Sequence, residues 1–297
     1  MLHKEQIKEI SREVGFDLCG VARCRVLDDD ASFLQQWVDS GKNSTLGYME
    51  RNIDKRADVS LLVEGARTVI VCGVAYKNRF SDGYASDCRT KVASYALMED
   101  YHTTIRERLR KMQSLLESRS GCRIEGRAFV DSAPIFEKRY AVEAGLGWIG
   151  RQSLLVNPHY GTFLLLGELV ITAECDEYDT PYRGVGCGEC HRCVEACPNN
   201  AICQGHIDTH RCISRLTIEQ GDDKDMLLGT AGWIFGCDEC QTICPYNRQA
   251  PYSTIEPSFD PVTVAWEALS SEEFAKQFKA TPLGRSSIER IIRLIQK

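Results

Sequence analysis

The residues with the clearest chemical potential are cysteines in two short runs. The first run has the spacing C-x2-C-x2-C-x3-C followed by proline, and the second keeps C-x2-C-x3-C and its proline but lacks one leading cysteine. Thiolates at this spacing wrap cubane iron–sulfur clusters, and the last cysteine of a run reaches a second cluster. The sequence therefore predicts two 4Fe-4S clusters. The runs consist of Cys187, Cys190, Cys193 and Cys197, and of Cys237, Cys240 and Cys244.

One cluster ligand is missing from these runs. Two cubane clusters need eight ligands if every iron is bound by a thiolate, and the runs supply seven cysteines. Crossed ligation, the ferredoxin pattern, assigns the last cysteine of each run to the other run's cluster. Cys203 and Cys212 are the nearby candidates for the eighth ligand, and their spacing does not decide between them. Cluster one is then predicted to use Cys187, Cys190, Cys193 and Cys244, and cluster two Cys197, Cys237, Cys240 and the eighth ligand.

Two simpler explanations of the cysteines compete with this one. Pairs spaced C-x2-C also suit tetrahedral zinc, but two separate C-x3-C-P tails are unusual for zinc sites. A simple electron-transfer ferredoxin would not need the long segment that precedes Cys187. Because clusters carry single electrons and define no reaction by themselves, the extra chain favours a reductase with a second redox centre.

Composition narrows the class of protein. The chain has 297 residues, fifteen cysteines and a formal net charge of −6. Its hydrophobic and charged fractions are those of a soluble globular protein, and no apolar run reaches the length of a membrane span. The mixed-charge amphipathic start is not a signal peptide, so we expect a cytoplasmic location, where clustered cysteines more often bind metal than form disulfides. The net charge does not indicate a nucleic-acid partner, although a local basic face can still attract one.

Hydrophobic patterning predicts an α+β fold. Strands and helices alternate through about residue 175, with the clearest strand at 68–76, the longest helix at 98–118 and another strand at 161–172. A cysteine-rich region follows, and then two short helical patterns near 271–279 and 287–296. We predict three regions: residues 1–176 as the catalytic domain, 177–250 as the two-cluster ferredoxin-like domain and 251–297 as a helical tail.

Asp131 is the candidate acid. A strand at 123–130 is predicted to end immediately before it, and Pro134 suits the first turn of a helix running to Ala144. A carboxyl group there could donate a proton at neutral pH only if its pKa were raised, by burial or by nearby negative charge. The alternative is a structural role as the N-cap of the following helix.

Several stretches together resemble the epoxyqueuosine reductases, cobalamin- and iron–sulfur-dependent enzymes that complete queuosine in the tRNA anticodon. Ferredoxin runs alone would be unspecific, because many redox proteins carry them. The combination with the other stretches, spread over about residues 45 to 250, is specific. They are YMERNIDKR at 48–56, DYH at 100–102, VDSAP at 130–134, GLGWIG at 145–150, CISRLTI at 212–218 and GCDECQ at 236–241.

The resemblance implies an architecture and a reaction. A cobalamin-binding domain similar to reductive dehalogenases would be joined to a ferredoxin-like domain, and electrons would pass through two 4Fe-4S clusters to cobalamin. The substrate would be a tRNA with a queuosine-type anticodon, a low-potential donor would supply the electrons, and the protein would act as a monomer. The resemblance also makes Cys212 the eighth ligand, leaves Cys203 a bystander and gives Asp131 the role of proton donor. The chain resembles a short form of the family, without the C-terminal helical-repeat region of many members.

Cofactor contacts follow from the same matching stretches. The predicted corrin neighbours are Arg56, Tyr95, Asp131, Ser153, Ser214 and Asp238. Arg56 could instead form a surface ion pair with Asp54 or Asp58, which would contribute little to stability. Tyr101 and His102 could stack on a nucleobase or pack in the core. The basic residues near the C-terminus, Arg285, Arg290, Arg293 and Lys297, could contact phosphate or line a solvated helix face.

Two other functions remain open on sequence grounds. A corrinoid reductase acting on a small molecule, such as an organohalide, would share the cluster run and the cofactor. An electron-transfer protein would hold iron without cobalt and would have no activity of its own.

Overall fold

A central antiparallel sheet organises the fold. The computed structural model describes residues 1–203, 205–219 and 228–297. Its strands are β1 (Leu18–Arg23), β2 (Thr68–Ala75), β3 (Lys91–Val92), β4 (Gly126–Phe129), β5 (Trp148–Ile149), β6 (Leu155–Val156), β7 (Leu164–Ile171), β8 (Ile202–Cys203), β9 (His206–Ile207) and β10 (Trp233–Phe235). The four-stranded sheet has the order β1-β2-β7-β4, with every neighbouring pair antiparallel. The α+β prediction is thereby confirmed.

Helices cover both faces of this sheet. They are α1 (Lys4–Glu13), α2 (Asp28–Asp39), α3 (Ile53–Ala57), α4 (Tyr101–Ser120), α5 (Glu137–Glu143), α6 (Arg192–Glu195), α7 (Ile213–Ile218), α8 (Glu239–Thr242), α9 (Pro245–Arg248), α10 (Ser271–Phe278) and α11 (Ile288–Ile295). No helix among the described residues is long and apolar enough to cross a membrane.

Strand alternation assigns side chains to two cores. On β2, Ile70 packs with α1 and α4, whereas its neighbour Val71 packs with α5. On β7, Leu169 faces the α4 side and Val170 the α5 side for the same reason. Because alternate residues share a face, Glu168 points with Val170 toward α5. A carboxyl group is thus built into an otherwise apolar core.

The predicted elements around Asp131 form, with shifted ends. The long helix begins at Tyr101, where the Asp100 side chain caps it by accepting a hydrogen bond from the His102 amide. The helix expected directly at Pro134 begins three residues later, at Glu137, and Phe136 precedes it without a side-chain cap. The N-cap role considered for Asp131 is therefore wrong, and its carboxyl group is available for other contacts.

The cysteine-rich region and the C-terminal segment are joined to the rest of the fold. Strand β10, between the two cysteine runs, pairs in parallel with β3. Helices α10 and α11 pack with these strands in one apolar core that includes Phe235, Leu97 and Ile291. The division into three regions at residues 176 and 250 stays a prediction. Residues from all three regions contribute to this one hydrophobic core.

This shared core gives a first testable expectation. Ile291 on α11 is fully buried, so Ile291→Ala should lower the free energy of unfolding by about 2–5 kcal/mol through the cavity it leaves. Arg293→Ala, on the exposed face of the same helix, should change it by less than about 0.5 kcal/mol. Urea denaturation measures both changes. Equal stability of the two variants would mean that the C-terminal helices are not part of the core.

Candidate active site

The cysteines of the predicted first quartet interact with one another. Burial raises the pKa of the Cys244 thiol, and the nearby charges of Cys187, Cys193 and Cys190 raise it further. Burial likewise raises the pKa of the Cys193 thiol, with added contributions from Cys187 and Cys190. Such charge effects require close approach. The Trp148 indole N–H also donates to the Cys187 sulfur at 3.4 Å.

The second quartet includes Cys212. Burial raises the pKa of the Cys212 thiol, and the charge of Cys197 adds to the rise. The pKa values of Cys237 and Cys240 are raised well above normal, first by burial and then by other charges that include Cys212. Cys203 lies in the β8–β9 hairpin, and its sulfur lies 4.0 Å from the Ala201 carbonyl oxygen. Among the described residues, the charge of Cys212 thus acts on the second cysteine run, which supports Cys212 over Cys203. The role of Cys212 as the eighth ligand stays a prediction.

The raised thiol pKa values fit a cationic centre. Four thiolates held close together repel one another, and burial removes the water that would screen them. Iron ions offset that repulsion and hold the sulfurs ionised. The described residues contain no group of three or more His, Cys, Asp or Glu side chains arranged to hold a single metal ion.

Asp131 lies against two aromatic side chains from the first turn of α4. Its Oδ2 atom accepts a hydrogen bond from the Tyr101 hydroxyl at 3.0 Å and lies 3.0 Å from His102 Nε2. The other ring nitrogen of His102 lies 2.6 Å from the Asp100 carboxylate, which fixes the orientation of the imidazole. Asp131 has a left-handed φ of 56°, an unusual backbone conformation for a residue other than glycine. This local geometry turns its carboxyl group toward α4.

The ionisation of Asp131 is opposite to the sequence-based expectation. The hydrogen bond with His102 lowers the pKa of Asp131, and the Tyr101 hydroxyl adds to this effect against a smaller opposing effect of burial. For His102, burial alone would lower the pKa, but hydrogen bonds to Asp131 and Asp100 outweigh it and raise the pKa. The expectation of a raised Asp131 pKa is therefore wrong for this structure. The raised pKa of His102 and the lowered pKa of Asp131 favour an ion pair with the proton on the imidazole, although the nearby Arg285 guanidinium charge opposes it.

Arg285 reaches this site from the C-terminal segment. One terminal nitrogen of its guanidinium group lies 2.6 Å from His102 Nδ1 and 3.2 Å from Nε2. The same nitrogen lies 3.4 Å from the Asp100 carboxylate. Of the other basic residues considered for phosphate contact, Arg290 donates to the Leu216 carbonyl oxygen and Lys297 to the Leu228 carbonyl oxygen. These contacts hold Arg290 and Lys297 against the protein.

Arg56 carries an unused hydrogen-bond donor near the same site. Its guanidinium group donates to the Tyr48 carbonyl oxygen at 3.3 Å, but its Nε atom is buried without a partner among the described residues. Burial lowers the pKa of Arg56, opposed by the charges of Tyr48 and Glu137. Neither Asp54 nor Asp58, the ion-pair partners considered above, is paired with Arg56 in the described residues. A buried donor of this kind fits a polar group of a ligand.

The remaining predicted contacts have different surroundings. Tyr95 is packed edge-on against Tyr101 with ring centroids 6.1 Å apart. The Ser153 carbonyl oxygen accepts a hydrogen bond from Lys138 at 2.6 Å, and Ser214 lies on α7 close to Cys212. Asp238 is fully buried, and its two carboxylate oxygens accept hydrogen bonds from the Ser94 amide and the Gln241 side chain. These hydrogen bonds indicate a structural role for Asp238.

Two acidic residues near Asp131 were missed from the sequence. Glu137, at the start of α5, accepts the Asp131 amide hydrogen bond, and Glu168 on β7 lies behind Glu137. A signal for Glu168 was present, because it is the one charged residue within the apolar strand Leu164–Ile171. A charged group in such a strand is costly unless it has a specific partner.

Comparison with known proteins gives consistent similarities. Residues 56–132 match the family model described as epoxyqueuosine reductase QueG, DUF1730. Residues 186–247 match the 4Fe-4S double cluster binding domain. The chain is 39% identical to the epoxyqueuosine reductase of Cyclobacterium marinum, over 97% of this chain and 94% of that protein.

Solved structures agree with the sequence comparison. One is an epoxyqueuosine reductase with a tRNA-Tyr epoxyqueuosine-modified stem loop, which is 28% identical and superposes with a TM-score of 0.85 over 98% of this chain and 79% of that one. Another is the Bacillus subtilis epoxyqueuosine reductase with its catalytic aspartate loop swung out of the active site, which is 27% identical. Its TM-score is 0.83 over 98% of this chain and 79% of that one.

The position of Cys212 gives a direct test of the second quartet. Cys212→Ala should reduce iron from about eight to about four per chain, because one 4Fe-4S cluster loses a ligand. Cys203→Ala is the matched control and should retain both clusters. Iron analysis and electron paramagnetic resonance of anaerobically reconstituted protein measure this. Full iron content in the Cys212 variant, or an equal loss in the Cys203 variant, would contradict the assignment.

Proposed function

The chain belongs to the epoxyqueuosine reductase family, and on that premise we propose that it reduces the epoxide of epoxyqueuosine in the anticodon loop of tRNA. The reaction removes the epoxide oxygen and leaves a carbon–carbon double bond. It consumes two electrons and two protons and releases one water molecule. The observation that carries this proposal is the Asp131 carboxylate, held by Tyr101 and His102, in a chain that also contains a two-cluster cysteine region.

We assign electron supply to the two cysteine quartets. Cluster one is bound by Cys187, Cys190, Cys193 and Cys244, and cluster two by Cys197, Cys212, Cys237 and Cys240. Each cluster transfers one electron at a time. The charge of Cys193, from the first quartet, also contributes to the raised pKa of Cys240 in the second. When bound, the two clusters would thus be held by cysteines whose charges interact.

Cobalamin fits the donors that line the site. The buried Nε of Arg56 has no partner among the described residues, and it suits a carbonyl or phosphate oxygen of the cofactor. Tyr95, Ser153 and Ser214 are further candidate contacts, together with Asp131 on the substrate side. Asp238 is the weakest candidate, because its oxygens already accept hydrogen bonds from the protein. When bound, cobalamin supplies the reducing centre that acts on the epoxide carbon.

The chain's own residues manage the proton. The hydrogen bond joins His102 Nε2 to Asp131 Oδ2, so a proton held on the imidazole has a direct path to the carboxylate. Asp131 then passes this proton to the departing oxygen. The imidazole takes up the second proton that the reaction consumes from solvent and passes it to Asp131 through the same hydrogen bond. The Tyr101 hydroxyl keeps its own proton, because burial raises its pKa far above neutral. The acid is thus a carboxyl–imidazole unit rather than an isolated aspartic acid.

An exposed aromatic ring supports the RNA part of the proposal. Tyr48 is 45% exposed, and its pKa is raised by burial, by Glu219 and by Asp131, which places its ring near the catalytic carboxylate. Sequence-specific RNA binding commonly stacks an unpaired loop base on such a ring. Tyr48 is therefore our candidate for stacking on an anticodon-loop base.

Reconstitution tests this function against its alternatives. The protein is loaded anaerobically with iron, sulfide and cobalamin, and is offered epoxyqueuosine-containing tRNA with a low-potential reductant. Bound iron and cobalt with conversion to queuosine support the proposal. Bound iron without cobalt and without conversion would indicate an electron-transfer protein. Conversion of an organohalide but not of the tRNA would indicate a small-molecule reductase.

Asp131→Asn separates catalysis from cofactor binding. The amide cannot pass on the proton, so turnover should fall by about 10²-fold or more. Iron and cobalt content should equal those of the wild type, because the side chain keeps its size. Single-turnover conversion and metal analysis measure the two properties. Wild-type turnover in this variant would remove Asp131 from the mechanism.

His102→Gln tests the location of the proton. The pKa of His102 is raised above its ordinary 6.5 by Asp131 and Asp100, so wild-type activity should be complete below that pH and decline as the pH rises through the raised value. The glutamine variant should lose about 10²-fold in turnover, since it lacks the proton store. Its alkaline decline should also become shallower, because the ionisation of His102 is removed. His159→Gln, at an exposed site, is the control, and an unchanged pH profile in the His102 variant would contradict the assignment.

A further inference from the structure

Glu168 is a buried carboxyl group without an ordinary partner. It lies in the middle of β7, opposite Val71 on β2 and Phe129 on β4, and it is 0% exposed. Neither of its carboxylate oxygens accepts a hydrogen bond from an N–H or O–H group of the described residues. Leaving an ionised carboxylate in such a site is very costly. The Glu168 carboxyl group therefore either carries a proton or has a function that offsets this free-energy cost.

The polar neighbour of Glu168 is another carboxyl group. The Glu137 side chain lies within hydrogen-bonding reach of Glu168. Two carboxylates cannot form a hydrogen bond with each other, because both only accept, so this contact needs a proton. Burial and the charge of Glu137 raise the pKa of Glu168 well above its ordinary value. Burial and the charge of Asp131 raise the pKa of Glu137 to about 7.

Glu137 connects this pair to the catalytic loop. Its Oε1 atom accepts the hydrogen bond of the Asp131 amide at 2.6 Å. That amide belongs to the residue whose left-handed φ of 56° aims its carboxyl group at α4. Glu137 therefore contacts the backbone of Asp131 on one side and the buried Glu168 on the other.

The charged groups around the pair do not neutralise it. Asp131 contributes a negative charge to both carboxyls. Lys138 on α5 and Arg56 on α3 interact with Glu137. Burial lowers the pKa of both cations, and Lys138 is bonded to the Ser153 carbonyl oxygen. Glu168 also contributes to the raised pKa of the Cys72 thiol on β2. The contact between Glu137 and Glu168 therefore depends on a proton that the two carboxyl groups share.

We propose that Glu137 and Glu168 share one proton and that this protonated pair positions the Asp131 loop. While the proton lies between the carboxyls, Glu137 is held in place and keeps the Asp131 amide bonded. When the proton leaves to solvent through Glu137, the more exposed of the two groups, the two negative charges repel each other and the loop is released. Both glutamates are positioning residues that act through Asp131. The link to catalysis rests on the proposed function, whereas the shared proton does not.

Variants at position 168 separate a shared proton from simple packing. Glu168→Gln keeps the shape and donates a permanent N–H to Glu137, so it imitates the protonated pair. Glu168→Ala removes both the shape and the donor. Glu143→Gln is the matched control, because Glu143 lies on the same helix as Glu137 and is paired with Arg139 and Arg25 instead.

Two readouts that need no turnover test the pair in cofactor-loaded protein. Infrared spectroscopy at neutral pH should show the carbonyl band of a protonated carboxylic acid in the wild type and in Glu143→Gln, and should lose it in Glu168→Gln. Hydrogen exchange of the Asp131 amide should be slow in the wild type and in Glu168→Gln and should rise about tenfold or more in Glu168→Ala. A wild type without the band overturns the proposal. So does equally fast exchange in the glutamine and alanine variants.

Turnover of epoxyqueuosine-containing tRNA gives the functional readout. Glu168→Gln should keep kcat within about threefold of the wild type below neutral pH, and Glu168→Ala should lose about tenfold or more in kcat with KM little changed. The fall in activity with rising pH should be shallower in Glu168→Gln than in the wild type. In the wild type two ionisations cause this fall, that of the glutamate pair and that of His102, and the variant lacks the first. An identical decline in both proteins overturns the positioning role. If the wild type does not reduce this tRNA at all, the infrared and exchange results still decide whether the proton is shared.

Discussion

The hydrogen bond between His102 and Asp131 decides where the proton of this active site resides. A carboxylate alone at the end of β4 would need a raised pKa to act as an acid. The imidazole reverses this requirement, because it holds the proton itself and keeps Asp131 ionised. Two neighbours support that contact: Asp100 orients the imidazole, and Tyr101 donates to the same carboxylate oxygen. Arg285 opposes it, because its guanidinium charge near the ring lowers the pKa of His102.

The contact between His102 and Asp131 leaves an ionised carboxylate near two more carboxyl groups, those of Glu137 and Glu168. Asp131 is exposed, Glu137 is half-buried and Glu168 is buried within the sheet. Three adjacent negative charges in that volume would repel one another strongly. Two features reduce this repulsion. Glu137 and Glu168 share a proton, and the imidazole of His102 lies against Asp131. The same arrangement makes the catalytic loop sensitive to protonation.

Sequence patterns were most reliable where one local rule applies. The apolar run at 68–76 predicted β2, and the spacing of the two cysteine runs predicted a double-cluster region, which the family match at 186–247 confirms. The N-cap role of Asp131 failed because α5 starts at Glu137, which no local signal marks strongly. The ionisation of Asp131 could not be derived, because His102 is 29 residues away and its approach depends on how α4 packs against the sheet. Glu168 was visible as a charged residue in an apolar strand. Its partner on α5, Glu137, becomes apparent only when the sheet shows on which face the Glu168 side chain lies.

The most direct measurement is the ionisation of His102 by nuclear magnetic resonance of isotope-labelled histidine. In the wild type the imidazole should be protonated at pH 6.5 and should titrate above that value, because its pKa is raised by Asp131 and Asp100. In Asp131→Asn the pKa should fall, since the carboxylate that stabilises the imidazolium is gone. A neutral His102 at pH 6.5 in the wild type, or a titration unaffected by Asp131→Asn, would contradict the account.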